Sequence, residues 1–211
     1  MGVEEKKVGL RDKEATKCRI LDAAEEEFAR GGLLGAKTDA IACKTGTTKS
    51  MIFYHFRDKE GLYQAVLERA VARRMRVVQG IDLHAPEPED SLRALVEALL
   101  DDVGNHLNLT AIFMYEAIQN KGKYYSEISL ASVYVPLVDL LKRGIAAGKF
   151  RDMDPMHAAV NIVGMCVFYY CSHENIKHLW PTGTELLSKE MREQHKREAI
   201  EQIIAGVKKF V

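Results

Sequence analysis

The sequence predicts an all-α protein, and two observations carry that prediction. Apolar side chains recur every three or four residues, as at Cys18, Leu21, Ala24 and Phe28, and this spacing places them on one face of a helix. Alternation of apolar and polar residues, which would indicate strands, is hard to find over any strand-length window. With 47% hydrophobic and 28% charged residues, the composition is that of an ordinary folded globular protein.

The first two helices are delimited by glycines. Residues 14–32 form a periodic segment that ends at Gly31 and Gly32, and glycine readily adopts the left-handed conformation that closes a helix. We expect Thr38 to cap a second, very short helix, because a threonine hydroxyl can accept a backbone N–H of the first turn. Gly46 would end that helix.

The third and fourth helices begin after capping side chains. Thr48 precedes the segment KSMIFYHF, residues 49–56, and Asp58 precedes a longer segment that runs to about residue 80. Threonine and aspartate are both favoured at helix N-caps. Glu60 adds a negative charge near the positive end of the fourth helix.

The segment HAPEPEDS, residues 84–91, contains two prolines and three acidic residues and marks a break in the chain. Asp90 or Ser91 is expected to restart the helical pattern. Apolar periodicity then predicts five further helices, at about residues 91–107, 109–120, 124–147, 155–178 and 184–209.

Proline and glycine positions refine these later helices. Pro136 predicts a kink or a boundary near Val135, because proline lacks the backbone N–H and clashes with the preceding turn. Gly148 is placed to close one helix, and Asp154 and Pro155 are placed to start the next as N-cap and first helical residue.

Composition excludes several classes of protein. The longest apolar run, residues 158–171, covers about 14 residues and is too short to cross a bilayer, and the first residues lack the apolar core of a signal peptide. We therefore expect a cytoplasmic protein with no membrane partner. The four cysteines lack zinc or CxxC spacing, which predicts reduced, mostly buried thiols and neither a metal nor a cofactor.

Residues 38–56 have the proportions of a helix-turn-helix, since two short helices are joined at a glycine. The net charge of the chain is zero, but residues 37–59 contain five cations against two carboxylates and are locally basic. On the third helix, Ile52 and Phe56 fall on one side, while Ser50 and Tyr54 fall on the other. An exposed face of hydroxyl and aromatic groups beside lysines suits DNA.

The stretch GLLGAKTDAIACKTGTTKSMIFYHFRDKEGLYQAVL resembles the tetracycline-repressor (TetR) family of bacterial regulators. It follows that family's pattern of Gly, Ile-Ala, Gly, a hydroxyl residue, then Leu/Ile-Tyr-x-x-Phe-x-x-Lys-Glu-x-Leu. The resemblance is strong over residues 16–67, and a weaker one covers residues 143–155. Thr45, Ser50 and Phe53 stand where alanine, glycine and tyrosine are usual, so the operator sequence cannot be carried over.

The resemblance implies nine helices, an N-terminal DNA-binding unit, a ligand-binding body and a homodimer formed through the last two helices. The corresponding domains are residues 14–60 (helix-turn-helix), 61–84 (connecting helix) and 85–211 (effector binding and dimerisation). By position, the expected contacts with a double-stranded DNA operator are Thr38, Thr48, Lys49, Ser50, Phe53, Tyr54, His55 and Lys59. Helical geometry places His55 nearer the core than the others, so a packed histidine is an equally valid interpretation.

We expect a small, largely apolar effector of unknown identity to bind the body and release the protein from DNA. The candidate lining residues are Phe113, Met114, Ala117, Phe168 and Asn161, with His106 as a polar contact. Helical spacing puts most of them inside, although a hydrogen-bonded core residue is the alternative for each polar one. The lack of a cationic pair on one predicted inner face argues against a strongly anionic effector. The fourth helix would transmit the signal through Leu62, Val66 and Leu67.

The last two predicted helices each carry an apolar stripe that could form a four-helix dimer interface. These stripes are Ala159, Ile162, Val163, Cys166 and Tyr170 in one helix, and Ile200, Ile203, Ile204 and Val207 in the other. Packing of the same stripes against each other within one monomer is the alternative.

The sequence bears on two other functions. An enzyme is disfavoured, because GGLLGAKT, residues 31–38, fails the P-loop spacing and no other catalytic motif appears. A DNA-binding protein without a small-molecule effector remains open, although about 120 residues beyond residue 90 exceed what dimerisation alone requires.

Overall fold

The computed structural model describes the backbone of residues 2–125 and 127–209, and the side chains of residues 12–125 and 133–209. Within these ranges it contains nine α-helices, one short 3₁₀ helix and an isolated bridge in place of any sheet. The helices are α1 (Gly2–Gly35), α2 (Thr38–Thr45), α3 (Lys49–Phe56), α4 (Lys59–Gln79), α5 (Pro88–Asn105), α6 (Leu107–Gln119), α7 (Glu127–Ala146), α8 (Pro155–Ile176) and α9 (Lys189–Val207), with the 3₁₀ helix at Lys177–Leu179. The predicted all-α fold class is confirmed.

Most helix ends near the N-terminus follow the predicted local signals. Gly32 interrupts α1 with a φ of 65°, and Gly46 closes α2 with a φ of 64°. Thr48 accepts a backbone N–H from the first turn of α3 at 3.2 Å. Asp58 accepts one from the first turn of α4 at 2.7 Å. Each of these signals acts within four residues, which is why the sequence alone reveals them.

Thr38 is not the cap of α2, and that prediction is wrong. Lys37 occupies the N-cap position with extended backbone and no side-chain cap, while Thr38 is the first helical residue and is buried. The Glu27 carboxylate of α1 accepts the backbone N–H of Lys37 at 3.0 Å. A tertiary contact therefore holds the start of α2.

Three later helix boundaries also differ from the predictions. Helix α5 begins at Pro88, which fits the first turn because its missing N–H needs no partner there. Helix α9 begins only after Ser188, whose hydroxyl accepts a backbone N–H at 3.4 Å. Pro136 lies inside α7, so the helix has no boundary near Val135, while the alternative of a kink stays a prediction. The predicted start of α8 is confirmed, since Asp154 caps it with a hydrogen bond of 2.8 Å.

Contacts divide the chain into two compact units, and differently from the domains drawn on the sequence. Unit 1 comprises residues 1–70 and 111–125, and unit 2 comprises residues 71–110 and 126–211. One boundary therefore falls inside α4 after Ala70, and another falls inside α6 after Thr110.

Unit 1 is held together by an aromatic core and a cross-helix ion pair. Phe28 of α1 and Tyr63 of α4 are fully buried and meet edge to face, with ring centroids 4.9 Å apart. Arg69 of α4 donates to Asp22 at 2.6 Å and to Glu25 at 2.9 Å, both on α1. These contacts fix α1 against α4 and so provide the base on which α2 and α3 rest.

Unit 2 is built around α5, which packs against α7, α8 and α9. Its core contains nearly all of the stripes predicted for a dimer interface: Ala159, Ile162, Cys166, Tyr170, Ile200, Ile203, Ile204 and Val207 are buried within the single chain, with Val163 partly buried beside them. The prediction that these residues form the subunit contact is wrong. The alternative, packing inside one monomer, is what the structure contains.

Hydrogen bonds from Arg143 of α7 hold the proline-rich connection that precedes α5. Its guanidinium donates to the carbonyl oxygens of Leu83 at 2.6 Å and Ala85 at 2.8 Å, and to the Ser91 hydroxyl at 3.3 Å. Two of these three hydrogen bonds hold backbone that lacks helical partners of its own, and the third ties Arg143 to the first turn of α5.

The described residues also bear on membranes, metals and thiols. Every described helix is too short or too polar to cross a lipid bilayer. Described His, Cys, Asp and Glu side chains nowhere gather in threes as a metal ion would require. All four cysteines are free, and Cys18 and Cys43 are exposed, so the expectation of mostly buried thiols is wrong for these two.

Candidate DNA-binding site

Helix α3 is anchored by one side and leaves the other side open. Ile52 is fully buried and Phe56 is 6% exposed, so the two apolar residues four positions apart hold the helix on unit 1. Thr48 caps its N-terminus. The opposite side is thereby presented to solvent in a fixed orientation.

The open side of α3 combines hydroxyl, thioether and aromatic groups. Ser50, Met51 and Tyr54 are exposed, with 70% of Tyr54 accessible to solvent. The Tyr54 ring meets the His55 ring edge to face, with centroids 5.3 Å apart. Phe53 and His55 are half-buried and flank this face, as the helical geometry predicted for His55.

Three lysines, one each on α2, α3 and α4, make side-chain contacts within unit 1. Lys49 lies 3.2 Å from Asp39, and both side chains are largely exposed. Lys44 is paired with Glu26. Lys59 donates to the carbonyl oxygen of Leu34 at 3.2 Å. Because exposed ion pairs contribute little, the ion pairs of Lys44 and Lys49 hold these two ammonium groups only weakly.

The turn between α3 and α4 sets the direction of the open side. Arg57 has a φ of 71° and a ψ of −57°, and the Asp58 N–H donates to the Phe56 carbonyl at 2.8 Å. This is a tight γ-turn of the strained kind. A Cβ on Gly61 would clash with that same carbonyl oxygen, so the turn requires glycine at the start of α4.

Sequence reasoning missed the contribution of α1 to this surface. Asp12, Lys13 and Thr16 of α1 line a groove of about 560 Å³ together with residues of α3, namely Thr48, Ser50, Met51, Tyr54 and His55. The predicted first helix began at residue 14, whereas the structure begins α1 at Gly2. Lys13 and Thr16 are three positions apart and so lie on one face of a helix, and this spacing could have indicated that α1 contributes to the surface.

The eight predicted DNA contacts are thus brought into one region, although not all to its surface. Thr48, Lys49, Ser50 and Tyr54 are exposed, Phe53, His55 and Lys59 are half-buried, and Thr38 is buried. Thr38 therefore does not present its side chain on the open side of the helix pair.

The end of α6 is fixed within unit 1 by a buried carboxylate and a glycine. Glu116 is 1% exposed and accepts from the Asn120 amide at 2.5 Å and from the Tyr124 backbone N–H at 2.6 Å. Burial, aided by the Glu116 charge, raises the pKa of Tyr63. Gln119 donates to the carbonyl of Gly31 at 3.4 Å.

The predicted effector residues are divided between the two units, and most are not enclosed. Phe113, Met114 and Ala117 belong to unit 1, where Phe113 is half-buried against Tyr125 and the other two are exposed. In unit 2, Asn161 and Phe168 are exposed on α8, and His106 is half-buried beside Asp102. The expectation that helical spacing puts most of these side chains inside is wrong, because α6 and α8 carry apolar residues on more than one face.

Comparisons with known proteins find a matching family model in each half of the chain. The family model described as bacterial regulatory proteins, tetR family, matches residues 20–66, and a model described as a tetracyclin repressor-like C-terminal domain matches residues 88–203. The chain is 30% identical over 175 residues to the transcriptional repressor NicS of Pseudomonas putida. The alignment covers 79% of this chain and 82% of NicS.

The chain is also similar to a second repressor and to a regulator of known structure. The transcriptional repressor SCO4008 of Streptomyces coelicolor is 32% identical over 149 residues, covering 70% of this chain and 74% of that protein. The crystal structure of the regulator FadR from Bacillus subtilis in complex with stearoyl-CoA is similar with a TM-score of 0.71 and 17% identity, over 90% of this chain and 98% of FadR. At that identity the likeness to FadR concerns the fold.

Proposed function

Because this chain belongs to the TetR family of bacterial transcriptional regulators, we propose that α3 is the helix that reads its operator and that a small molecule bound by unit 2 releases it. The protein is a DNA-binding regulator of the repressor type, as are the relatives it resembles. The role proposed for it is regulatory and not catalytic, and operates in the cytoplasm, where the chromosome lies.

The observation that carries the DNA-binding proposal is the open side of α3. Ser50 and Tyr54 project from a helix whose other side is buried, and Lys49 and Lys59 lie at its margins in contacts that a phosphate can replace. The capped N-terminus of α3 favours anions through its backbone N–H groups. Base edges would meet the hydroxyl and aromatic groups, while phosphates would meet the lysines.

Release by an effector requires that the effector favour one arrangement of the DNA-binding helices over another. Helices α4 and α6 are the candidate transmitters, because each is a continuous helix whose residues belong partly to unit 1 and partly to unit 2. The sequence had pointed to α4 alone. A tenfold fall in operator affinity needs a difference of about 1.4 kcal/mol in effector binding between the two arrangements.

We infer a homodimer, and the exposed face of α8 is the surface that supports it. Met156, Val160 and Phe168 are 55%, 49% and 63% exposed, and they recur with Gly164 at helical spacing of four. A Cβ at Gly164 would meet nothing within 4 Å, so another helix can approach there. A two-fold dimer would present two copies of α3 to half-sites about 34 to 36 Å apart.

Operator binding of surface variants tests the proposal. Tyr54→Ala and Lys59→Ala should each weaken binding several-fold while the helical signal and melting temperature stay unchanged, and Lys59→Ala should reduce the slope of log affinity against log salt by about one. Lys189→Ala, at an exposed lysine of α9, is the matched control and should bind as the parent protein does. Unchanged binding by both test variants would contradict the assignment of α3.

A further inference from the structure

The side chains at the centre of the open side of α3 are apolar or carry a hydroxyl group. Ser50, Met51 and Tyr54 fall within an arc of about 100° around the helix, away from the buried Ile52 and Phe56. Met51 is 43% exposed and Tyr54 is 70% exposed. A thioether and an aromatic ring therefore dominate the surface that α3 offers to DNA.

Helix α3 lacks the side chains that make paired hydrogen bonds to bases. Arginine reads guanine and asparagine or glutamine reads adenine through two parallel hydrogen bonds, while acidic side chains accept from cytosine. The α3 sequence, KSMIFYHF, contains none of these residue types. Arg57 comes only after the helix, whereas the N-terminal residues of a recognition helix are those that contact base edges. The base preference of α3 therefore has to come from another kind of contact.

The two nitrogen-bearing side chains of α3 do not stand at the centre of its open side. The Lys49 ammonium lies 3.2 Å from the Asp39 carboxylate of α2. His55 is half-buried, and its ring packs between Tyr54 and Phe56, with centroid distances of 5.3 and 6.1 Å. The central surface consequently consists of one hydroxyl group, one thioether and one phenol ring.

Thymine presents the group that fits this surface. The edges of all four bases carry hydrogen-bonding atoms in the major groove, and thymine adds a C5 methyl group. Contact between this methyl and the exposed Met51 or Tyr54 removes apolar surface of both partners from water. Burial of one methyl-sized group corresponds to about threefold to fourfold tighter binding.

The charge around α3 favours DNA over any other apolar partner. Residues 37–59 carry five cations against two carboxylates, and this charge complements a phosphate backbone. The same residues lie within the match to the tetR family model, residues 20–66. An apolar patch in basic surroundings suits a base edge with a methyl group between two phosphate strands.

We propose that Met51 and Tyr54 contact the C5 methyl groups of thymines in each operator half-site, and that these contacts set the base preference of α3. The inference rests on the proposed role of α3 and names the class of sequence that it reads. Ser50 contributes a hydroxyl that both donates and accepts, so it selects no particular base.

Replacement of thymine by deoxyuridine tests the methyl contacts. Duplexes that bind the full-length protein are first selected from a random double-stranded library. Each thymine of the selected half-site is then replaced in turn by deoxyuridine, which lacks the methyl group and keeps the hydrogen-bonding atoms. At one or more positions the replacement should weaken binding about threefold or more. A selected half-site without thymine, or equal affinity after every replacement, would overturn the proposal.

Variants of the two side chains assign the contacts. Met51→Ala and Tyr54→Ala should each bring the ratio of thymine to deoxyuridine affinity close to one at the thymine that the side chain contacts. Tyr54→Phe keeps the ring and should retain that ratio. Met75→Ala is the control, because Met75 is 39% exposed on α4 and belongs to unit 2, and it should leave every ratio unchanged.

Two outcomes would contradict this assignment of side chains. Ratios that stay as high in both alanine variants as in the parent protein would show that other residues contact the methyl groups. A ratio close to one in Tyr54→Phe would show that the phenol hydroxyl, and not the ring, makes the contact.

The selection experiment also separates this inference from the proposed function. Failure of the full-length protein to enrich any duplex would refute operator binding by α3, and the inference would fall with it. Enriched duplexes that tolerate deoxyuridine at every position would refute the methyl contacts while the proposed function stands.

Discussion

At the scale of single residues, the backbone of Arg57 is the least relaxed feature near the DNA-binding surface. Its φ of 71° and ψ of −57° form a tight turn that a side chain with a Cβ seldom adopts. The Phe53 carbonyl accepts the Arg57 N–H at 2.7 Å, so the strain is maintained by a good hydrogen bond. The Arg57 side chain is exposed, so the side chain does not account for the unusual backbone conformation.

Replacement of Arg57 isolates that strain. Arg57→Gly should raise the free energy of unfolding by about 1 kcal/mol relative to Arg57→Ala, because glycine adopts positive φ without steric cost. The alanine variant removes the same side chain and keeps the strain, so it is the matched reference. Chemical denaturation of both variants measures the difference, and equal midpoints would show that the turn is not strained.

At the scale of elements, a helix can be placed from sequence more readily than it can be oriented. The end of α2 at Gly46 and the start of α3 at Thr48 were predictable, because capping is decided by neighbouring residues. The buried side of α3 was predictable too, since Ile52 and Phe56 are its core-facing pair. The spacing of apolar residues identifies the buried face of a helix when the opposite face is polar.

Helix α8 shows why orientation fails elsewhere. Ala159, Ile162 and Cys166 are buried inside unit 2, while Val160 and Phe168 are exposed on the other side. Both sides are apolar, so spacing alone cannot decide which side faces the same chain and which is open. The expectation that Asn161 and Phe168 lie inside fails because of this ambiguity. The pairing of Asp102 with Arg73, Arg74 and His106 was hidden for another reason, because it depends on tertiary contacts.

The junction of α3 and α4 gives an element-scale prediction. Gly61→Ala should lower the free energy of unfolding by roughly 1 to 3 kcal/mol, because the added methyl group collides with the Phe56 carbonyl oxygen and the two helices have to separate. Operator affinity should fall as well, since α3 changes direction. Gly35→Ala provides the control, as a Cβ there meets nothing within 4 Å. A Gly61→Ala protein as stable as the control would rule out the close approach.

At the scale of the whole molecule, the proposed dimer would cover the exposed apolar face of α8. Met156, Val160 and Phe168 expose a continuous line of apolar surface that a single soluble chain rarely leaves open. A second copy related by a two-fold axis would bury the same face on both chains.

Charge introduced on this face should separate the subunits. Phe168→Glu should convert the dimer to a monomer at micromolar concentration, because the two glutamates would lie near the axis without partners, and operator affinity should fall more than tenfold as the linked half-sites become independent. Leu179→Glu changes a residue that is 80% exposed outside this face and should remain dimeric. Sedimentation velocity measures both, and a dimeric Phe168→Glu protein would contradict the assignment.

The distribution of the thiols allows a distance measurement at a cysteine that the chain already contains. Cys18 and Cys43 are exposed and both belong to unit 1, whereas burial raises the pKa of Cys166 to about 12 and protects it from maleimides at neutral pH. After Cys43→Ser and Cys171→Ser, a spin label on Cys18 would report the distance between the two copies of unit 1 in a dimer. Pulsed resonance measurements with and without effector would then measure, in ångströms, any change in the distance between the two copies of unit 1.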